Sequence, residues 1–175
     1  MTPVLYRDLD CLKSMSEAQF RRNVEGRLEE HFHLSSEVTG YDEFHECQHR
    51  IDLMIEPRFD WHIPCFGVEF KRPDQLKTVG YGHWIRQAFN YHRTDWGRFG
   101  KSVPVLICPS LTWYEHLKDR FVMHDLQRVM GAFNIGELVP TPGRLEIRMC
   151  DSRLWIEHSG LNAYGRSWKL ARTGH

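Results

Sequence analysis

Two acidic residues and a lysine are spaced so that they could form a hydrolytic site. Asp52 precedes Glu69 by seventeen positions, and Lys71 follows Glu69 by two. Hard cations such as Mg²⁺ take carboxylate and backbone carbonyl oxygens as ligands and keep several waters. A lysine beside such a cation can orient the attacking water and offset the negative charge that develops on a phosphate. The three residue types therefore predict metal-assisted chemistry on a phosphate ester.

The alternation of side chains predicts the strands that would bring these residues together. The segment 49–57 alternates apolar with mostly polar residues, so Asp52 is expected opposite an apolar row made of Ile51, Leu53 and Ile55. The segment 65–72 predicts another strand, with Glu69 and Lys71 together on one face. If the two strands are neighbours in one sheet, all three side chains surround one point. The alternative is a solvated sheet face that carries a Glu–Lys pair.

The other periodicities predict an α/β fold. Ser16 and Gln19 can form a capping box that starts a helix extending to about His33. Strands are predicted over 37–46 and 103–108, helices over about 83–96 and 113–133, and a β-hairpin over 145–156. The expected architecture is an αβββαβ core with a mixed central sheet, followed by a C-terminal helix and β-hairpin.

Length and composition favour one globular domain. The chain has 175 residues, enough for a single core, and its 41% hydrophobic and 26% charged residues exclude a disordered or fibrous chain. We expect one domain over 1–175, with the core at about 16–108, the helix–hairpin extension at about 111–158 and a tail at 160–175. No apolar run is long enough to span a bilayer, and the N-terminus lacks a signal pattern, so a cytoplasmic protein without membrane contact is expected.

Charge is balanced in total but uneven along the chain. The 23 basic and 23 acidic residues give a net charge of zero, which excludes a uniformly basic nucleic-acid coat. Segment 25–60 holds ten acidic against three basic residues, whereas segment 71–101 holds seven basic against two acidic residues. An acidic segment beside a basic one suits a metal site that meets a polyanion, although solvated surface would give the same counts.

The motifs resemble a known nuclease superfamily. Asp52 in Arg-Ile-Asp-Leu, followed by Val-Glu-Phe-Lys around Glu69 and Lys71, resembles the signature of the PD-(D/E)XK, or restriction-endonuclease-like, superfamily. Ile51 stands where many members have proline. Gln87 and Tyr91, four positions apart on the second predicted helix, are similar to the Gln-x-x-x-Tyr element of its RecB-like and lambda-exonuclease-like branches. The resemblance covers about 16–108 and implies a restriction-endonuclease-like core.

The resemblance also implies a role for each matching residue. Asp52, Glu69 and the backbone carbonyl of Phe70 would bind Mg²⁺, with Mn²⁺ as an alternative, and Lys71 would lie near the attacking water. Gln87 would support the site. Glu25, preferred over Glu29 because it flanks the apolar helix face, would add a carboxylate. Substrate-binding residues would be Tyr91, Arg50 and Arg72.

These residues predict a divalent-metal-dependent nuclease that hydrolyses DNA phosphodiester bonds, as in replication, recombination or defence. The resemblance implies that its products carry 5′-phosphate ends. The expected partner is DNA, with RNA as an open alternative, and a homodimer also stays open. The contrasting hypothesis is a catalytically silent module of the same fold that binds DNA or a protein, which the zero net charge favours.

Cysteine and histidine residues leave a second metal hypothesis open. The five cysteines are widely spaced and lack a Cys-x-x-Cys motif, so neither disulfides nor an iron–sulfur cluster is expected. His45, Cys47 and His49 alternate along a predicted strand and could bind zinc with Cys65 as a distant fourth ligand. The absence of a usual Cys/His spacing favours instead a polar strand with one small buried thiol.

Overall fold

Three α-helices and eight strands make up the described part of this computed structural model, which comprises residues 14–71, 81–110, 120–141, 143–150 and 152–161. The helices are α1 (Glu17–Leu28), α2 (Tyr81–Arg93) and α3 (Arg120–Ala132), and a 3-10 helix covers Gly97–Phe99. The strands are β1 (Phe32–Asp42), β2 (Cys47–Pro57), β3 (Phe66–Phe70), β4 (Val105–Cys108), β5 (Ile135–Pro140), β6 (Leu145–Met149), β7 (Ser152–Ile156) and β8 (Gly160–Leu161). Across these ranges, every helix is too short or too polar to cross a bilayer.

All eight strands belong to one mixed sheet and follow one another in sequence order. β1, β2 and β3 pair antiparallel, β3, β4 and β5 run parallel, and β5 to β8 pair antiparallel. α2 and α3 lie in the two crossovers that parallel neighbours require. The predicted mixed α/β class is confirmed, and its order of helix, three strands, helix and strand is found from α1 to β4. The strands of the predicted extension continue the same sheet.

A hydrophobic core lies on each face of the sheet. α1 contributes Phe20, Val24 and Leu28, spaced by one helical turn, to the core on the first face. α2 and α3 contribute to the core on the second face, which includes Trp84, Tyr91 and Met130. Because β3, β4 and β5 are buried along their whole lengths, any charged side chain on them is placed in a poorly solvated environment.

The first helix begins where the sequence predicts and ends earlier. Ser16 and Gln19 form the predicted capping box. The helix ends at Leu28 rather than near His33, and Phe32 begins β1 instead of closing the helix. Phe32 still enters the same core as Leu28, so its four-residue spacing reflects burial in that core and not a further helical turn.

The hairpin of β1 and β2 is longer than predicted. β1 covers Phe32–Asp42 rather than 37–46, and β2 begins at Cys47 rather than His49. β1 has an irregularity at Glu37, whose φ is 54°. Gly40 is needed because a Cβ there would lie 2.6 Å from the Asp95 carbonyl oxygen, where β1 forms an isolated bridge.

The C-terminal half contains two strands that the periodicity does not reveal, β5 and β8. β5 is buried at all six positions, so it shows no alternation and was not predicted. α3 lies within the predicted third helix, where Met130 is buried and the neighbouring Val129 is 52% exposed. β6 and β7 form the predicted hairpin. β8 falls in the segment that was predicted to be an aperiodic tail.

Candidate active site

The end of β3 meets the middle of β2 at Asp52. Leu53 and Val68 form the last regular pair between the two strands. Two residues further along β3, the backbone N–H of Phe70 donates to Oδ2 of Asp52 at 2.8 Å, so a side chain of β2 takes the place of a backbone acceptor. This exchange fixes the Asp52 carboxylate beside the backbone of Phe70 and next to Glu69.

Ile51 departs from the predicted apolar row in the same region. Leu53 and Ile55 pack on the α1 face, but Ile51 joins the core on the α2 face. Its Cδ1 would lie 2.4 Å from a Cβ at position 67, which explains why glycine occupies that position of β3. The alternation of β2 therefore shifts at Asp52, and the prediction that Ile51, Leu53 and Ile55 share a face is wrong.

Glu69, Lys71 and Gln87 form a closed ring of hydrogen bonds. The Nζ of Lys71 donates to Oε1 of Glu69 at 2.5 Å and to Oε1 of Gln87 at 2.8 Å. The Nε2 of Gln87 in turn donates to Oε1 of Glu69 at 2.8 Å. The structure thus brings together the predicted β3 pair and the predicted α2 glutamine.

Tyr91 connects this ring to β2. Nε2 of Gln87 donates to the Tyr91 hydroxyl at 2.6 Å, and the hydroxyl donates to the backbone carbonyl of Arg50 at 2.8 Å. The two α2 residues lie one helical turn apart, which is why the spacing of four predicts their contact. Tyr91 is buried, and its hydroxyl contacts Gln87 and the Arg50 carbonyl.

Burial and like charge act together on Glu69. Burial raises the pKa of Glu69 above its ordinary value, and the charge of Asp52 raises it further, while Lys71 opposes both effects. Burial and the charge of Glu69 also raise the pKa of Tyr91, so its hydroxyl keeps the proton that it donates to Arg50. Lys71 therefore offsets only in part the effects of burial and of the Asp52 charge on Glu69.

Arg21 on α1 is the site residue that the sequence analysis missed. Its Nη2 donates to the backbone carbonyl of Asp52 at 2.8 Å, and its Nη1 lies 3.5 Å from Oδ1 of the same residue. It also binds Glu25 at 2.7 Å and Glu37 at 2.7 Å. Partial burial alone would lower the pKa of Arg21, but these carboxylates raise it overall. The spacing of four between Arg21 and Glu25 was the available signal.

The remaining described residues among the predicted site residues, Glu25 and Arg50, lie outside the hydrogen-bonded ring of Glu69, Lys71 and Gln87. Glu25 reaches Asp52 only through Arg21. The Arg50 side chain is 72% exposed and pairs with Glu37 at 3.0 Å, so it points away from the hydrogen-bonded ring. The register of β1 and β2 skips Glu37 and Asp52, and Glu37 has a left-handed conformation, a strained geometry for a residue with a side chain. Arg72 lies outside the described residues.

The comparisons with known proteins add no relative. The chain matches no protein-family model, and it matches neither a curated protein nor a solved structure. In the described ranges, no three His, Cys, Asp and Glu side chains already surround a common metal position. The site instead offers two carboxylates, Asp52 and Glu69, beside the backbone of Phe70. The chemistry of these groups is the basis for a functional proposal.

Proposed function

We propose that the chain is a divalent-metal-dependent deoxyribonuclease that hydrolyses phosphodiester bonds and leaves 5′-phosphate ends. The observation that carries the proposal is the hydrogen-bonded ring of Glu69, Lys71 and Gln87 beside Asp52. A restriction-endonuclease-like core is part of the proposal. The αβββαβ order from α1 to β4 supports it, as do the positions of the motif residues on β2, β3 and α2.

The donor set suits a hard cation. Asp52, Glu69 and the Phe70 carbonyl would hold Mg²⁺ or Mn²⁺, since such ions select oxygen ligands. The raised pKa of Glu69, caused by burial and by the charge of Asp52, is the electrostatic state that a bound cation would relieve. When bound, such an ion supplies a water of lowered pKa and stabilises negative charge on phosphate oxygens.

Lys71 is the group best placed to act on the phosphate or on the attacking water. Its ammonium carries three N–H donors, of which two bind Glu69 and Gln87. The third can donate to a water or a phosphate oxygen, so charge that develops there meets a fixed cation. Gln87 holds Lys71 and Glu69 in one geometry, and Tyr91 holds Gln87. These two α2 residues are therefore positioning residues.

The test is cleavage of linear duplex, circular and single-stranded DNA with Mg²⁺ or Mn²⁺, and with EDTA. We expect EDTA, Asp52→Asn and Lys71→Ala each to abolish cleavage. The matched controls are Asp60→Asn and Lys101→Ala, which change the same residue types at exposed positions away from the site. The circular substrate separates endonuclease from exonuclease activity. Equal cleavage by wild type and both site variants would refute the proposal.

One observation favours the second candidate, a silent module of the same fold that binds DNA or a protein. Arg21 already brings a positive charge to Asp52, within 3.5 Å of Oδ1, where it would compete with a metal ion. A silent module would show no cleavage of any DNA or RNA and no rise in melting temperature with Mg²⁺. Binding of labelled DNA under those conditions would then support this candidate.

A further inference from the structure

A groove of about 560 Å³ lies along α2, and Phe133, which follows α3, closes one side of it. We call it the α2 groove. The residues that give it its chemistry are Ile85, Arg86, Phe89, Asn90, Arg93 and Phe133. None of these six belongs to the proposed nuclease site. Small-ligand sites occupy about 300–1,000 Å³, so the groove has room for a group the size of a nucleotide.

The charge of the α2 groove is positive. Arg86 and Arg93 are both exposed, and because they are seven positions apart they lie two turns apart on one side of α2. Nη2 of Arg93 donates to Oδ1 of Asn90 at 3.0 Å, which restrains this guanidinium. No carboxylate of the described residues lines the groove. Burial lowers the pKa of His92, which also lines it, so the positive charge comes from the two arginines. Two guanidiniums that face an open groove are suited to phosphate groups.

Aromatic rings lie next to these arginines. The rings of Phe89 and Phe133 pack edge to face with their centroids 4.6 Å apart, and Phe133 is still 46% exposed. The guanidinium of Arg93 lies 5.8 Å from the centroid of Phe44, a ring of the β1–β2 turn that is 80% exposed. Arg93 therefore connects the groove to a second exposed ring. Exposed apolar surface that adjoins fixed charge is typical of a binding surface.

This combination of groups fits a single nucleic-acid strand better than other polyanions. Phosphates pair with guanidiniums, and unpaired bases stack on aromatic rings. The bases of a duplex are already stacked on one another, so the exposed rings would find no partner there. An acidic peptide would pair with the arginines but would lack flat bases for the rings. The observations therefore favour a strand with unpaired bases.

We propose that the α2 groove binds single-stranded DNA, with Arg86 and Arg93 on its phosphates and Phe133 stacked on a base. The choice of DNA rests on the proposed function, whereas binding itself requires neither a metal ion nor cleavage. Arg86 and its neighbour Gln87 are about 100° apart around the helix, so the groove and the hydrogen-bonded ring lie on different sides of α2. A helix with its side chains is about 10–12 Å across, so one strand can occupy the groove and reach the ring.

The experiment is the fluorescence anisotropy of labelled oligothymidylate with the full chain in EDTA, so that metal-dependent cleavage is prevented. We expect binding at least about tenfold tighter than that of a duplex of equal length. Arg86→Gln and Arg93→Gln should each weaken binding and reduce the slope of log affinity against log salt by about 0.7. Phe133→Leu keeps an apolar side chain but removes the ring, and it should weaken binding by about tenfold.

Matched variants control for residue type and for folding. Arg22→Gln removes an exposed arginine from α1, on the other face of the sheet, and Tyr41→Ala removes a ring of the same 46% exposure outside the groove. Both should bind oligothymidylate as wild type does. Melting temperatures report folding. If Phe133→Leu does not fold, Arg86→Gln still tests the groove, because this side chain is exposed.

Three outcomes would overturn the proposal. The first is unchanged binding in Arg86→Gln and Phe133→Leu. The second is displacement of the oligonucleotide by polyglutamate at an equal concentration of charge, which would indicate a surface for acidic peptides. The third is tighter binding of oligouridylate than of oligothymidylate, which would assign the groove to RNA. Absence of cleavage beside the expected binding would instead refute the nuclease proposal and leave the groove assigned.

Discussion

Glu69 and Glu146 are both buried glutamates in the same sheet, yet their surroundings act in opposite directions. Glu146 on β6 accepts hydrogen bonds from Arg144 at 2.7 Å and from Arg148 at 2.7 Å, and Arg153 lies 3.4 Å away. Burial raises the pKa of Glu146, but these guanidiniums outweigh it and hold the pKa below its ordinary value. The three guanidiniums around Glu146 therefore more than compensate its single negative charge.

The negative charge of Glu69, unlike that of Glu146, is only partly compensated by the positive charge that faces it. Burial raises the pKa of Glu69 above its ordinary value, and the charge of Asp52 raises it further, while the single lysine that faces Glu69 opposes both effects only in part. A cluster that serves only stability is expected to neutralise its buried charge, as the arginines do at Glu146. An incompletely compensated carboxylate in a buried strand is instead typical of a site that awaits a cation or a proton. This contrast favours Glu69 over Glu146 as a candidate ligand-binding residue.

The largest expected effects come from replacing each of the two glutamates by glutamine, which should affect cleavage at Glu69 and stability at Glu146. Glu69→Gln should lower the DNA cleavage rate by at least about 10³-fold, because the proposed metal ligand is lost, while the free energy of unfolding at neutral pH does not fall. Glu146→Gln should lower the free energy of unfolding by roughly 1–3 kcal/mol, because three arginines lose their carboxylate. Cleavage rates and urea unfolding of both variants measure the two effects. A Glu146→Gln variant that folds stably but no longer cleaves would remove the distinction.

A second prediction tests the cation that the protein itself places beside Asp52. Arg21→Gln should tighten the apparent affinity for Mg²⁺ by about tenfold, since a guanidinium 3.5 Å from Oδ1 no longer repels the ion. The Mg²⁺ dependence of cleavage and of the melting temperature both report this affinity. Arg22→Gln, an exposed neighbour on the same helix, is the matched control. Weaker Mg²⁺ binding in Arg21→Gln would instead mean that Arg21 holds Asp52 in place for the ion.

A third prediction concerns the support of the hydrogen-bonded ring. Tyr91→Phe removes the hydroxyl that connects Gln87 to the Arg50 carbonyl, and we expect a loss of about 1 kcal/mol in the free energy of unfolding. The turnover number should fall by about fivefold with KM nearly unchanged, because Gln87 loses its orientation while the substrate surface is intact. Tyr41→Phe, at a half-exposed tyrosine, should change neither quantity. A rise in KM alone would assign Tyr91 to substrate binding.

The site residues that the sequence predicts come from short-range periodicity and from the family resemblance. The period of two puts Glu69 and Lys71 on one face. Gln87 and Tyr91 were selected by their resemblance to the Gln-x-x-x-Tyr element, and their spacing of four then places them one helical turn apart. Pairing of β2 with β3 then follows from sequence neighbours lying side by side in the sheet. These rules need no knowledge of how the helices pack, which is why this part of the site could be predicted.

Arg21 and Glu37 depend on interactions that periodicity does not contain. Arg21 reaches Asp52 only because α1 packs across β2, and Glu37 reaches Arg21 through a left-handed backbone in the middle of β1. The same limit explains β5, which is buried on both faces and shows no alternation. The end of α1 was misplaced because Phe32 is buried for tertiary reasons at a helical spacing.

The smallest expected effect is the pH dependence of the stability that Glu69 and Glu146 each contribute. The folded pKa of Glu69 lies above its ordinary value of 4.5, so the folded state binds this proton more tightly than the unfolded state. Its contribution to stability is full below pH 4.5 and is lost as pH rises through the folded pKa. Glu146 behaves oppositely: its contribution is full above pH 4.5 and is lost as pH falls through its lowered folded pKa.

Urea unfolding of wild type and both Gln variants from acid to neutral pH separates these contributions. Relative to wild type, Glu69→Gln should gain stability as pH rises above 4.5, since wild type alone must then bury a charge beside Asp52. Glu146→Gln should lose stability relative to wild type as pH rises toward and past 4.5, since wild type alone gains the ionised partner of its arginines. Two stability profiles that stay parallel to wild type would mean that the opposite pKa shifts, and the contrast built on them, do not exist in solution.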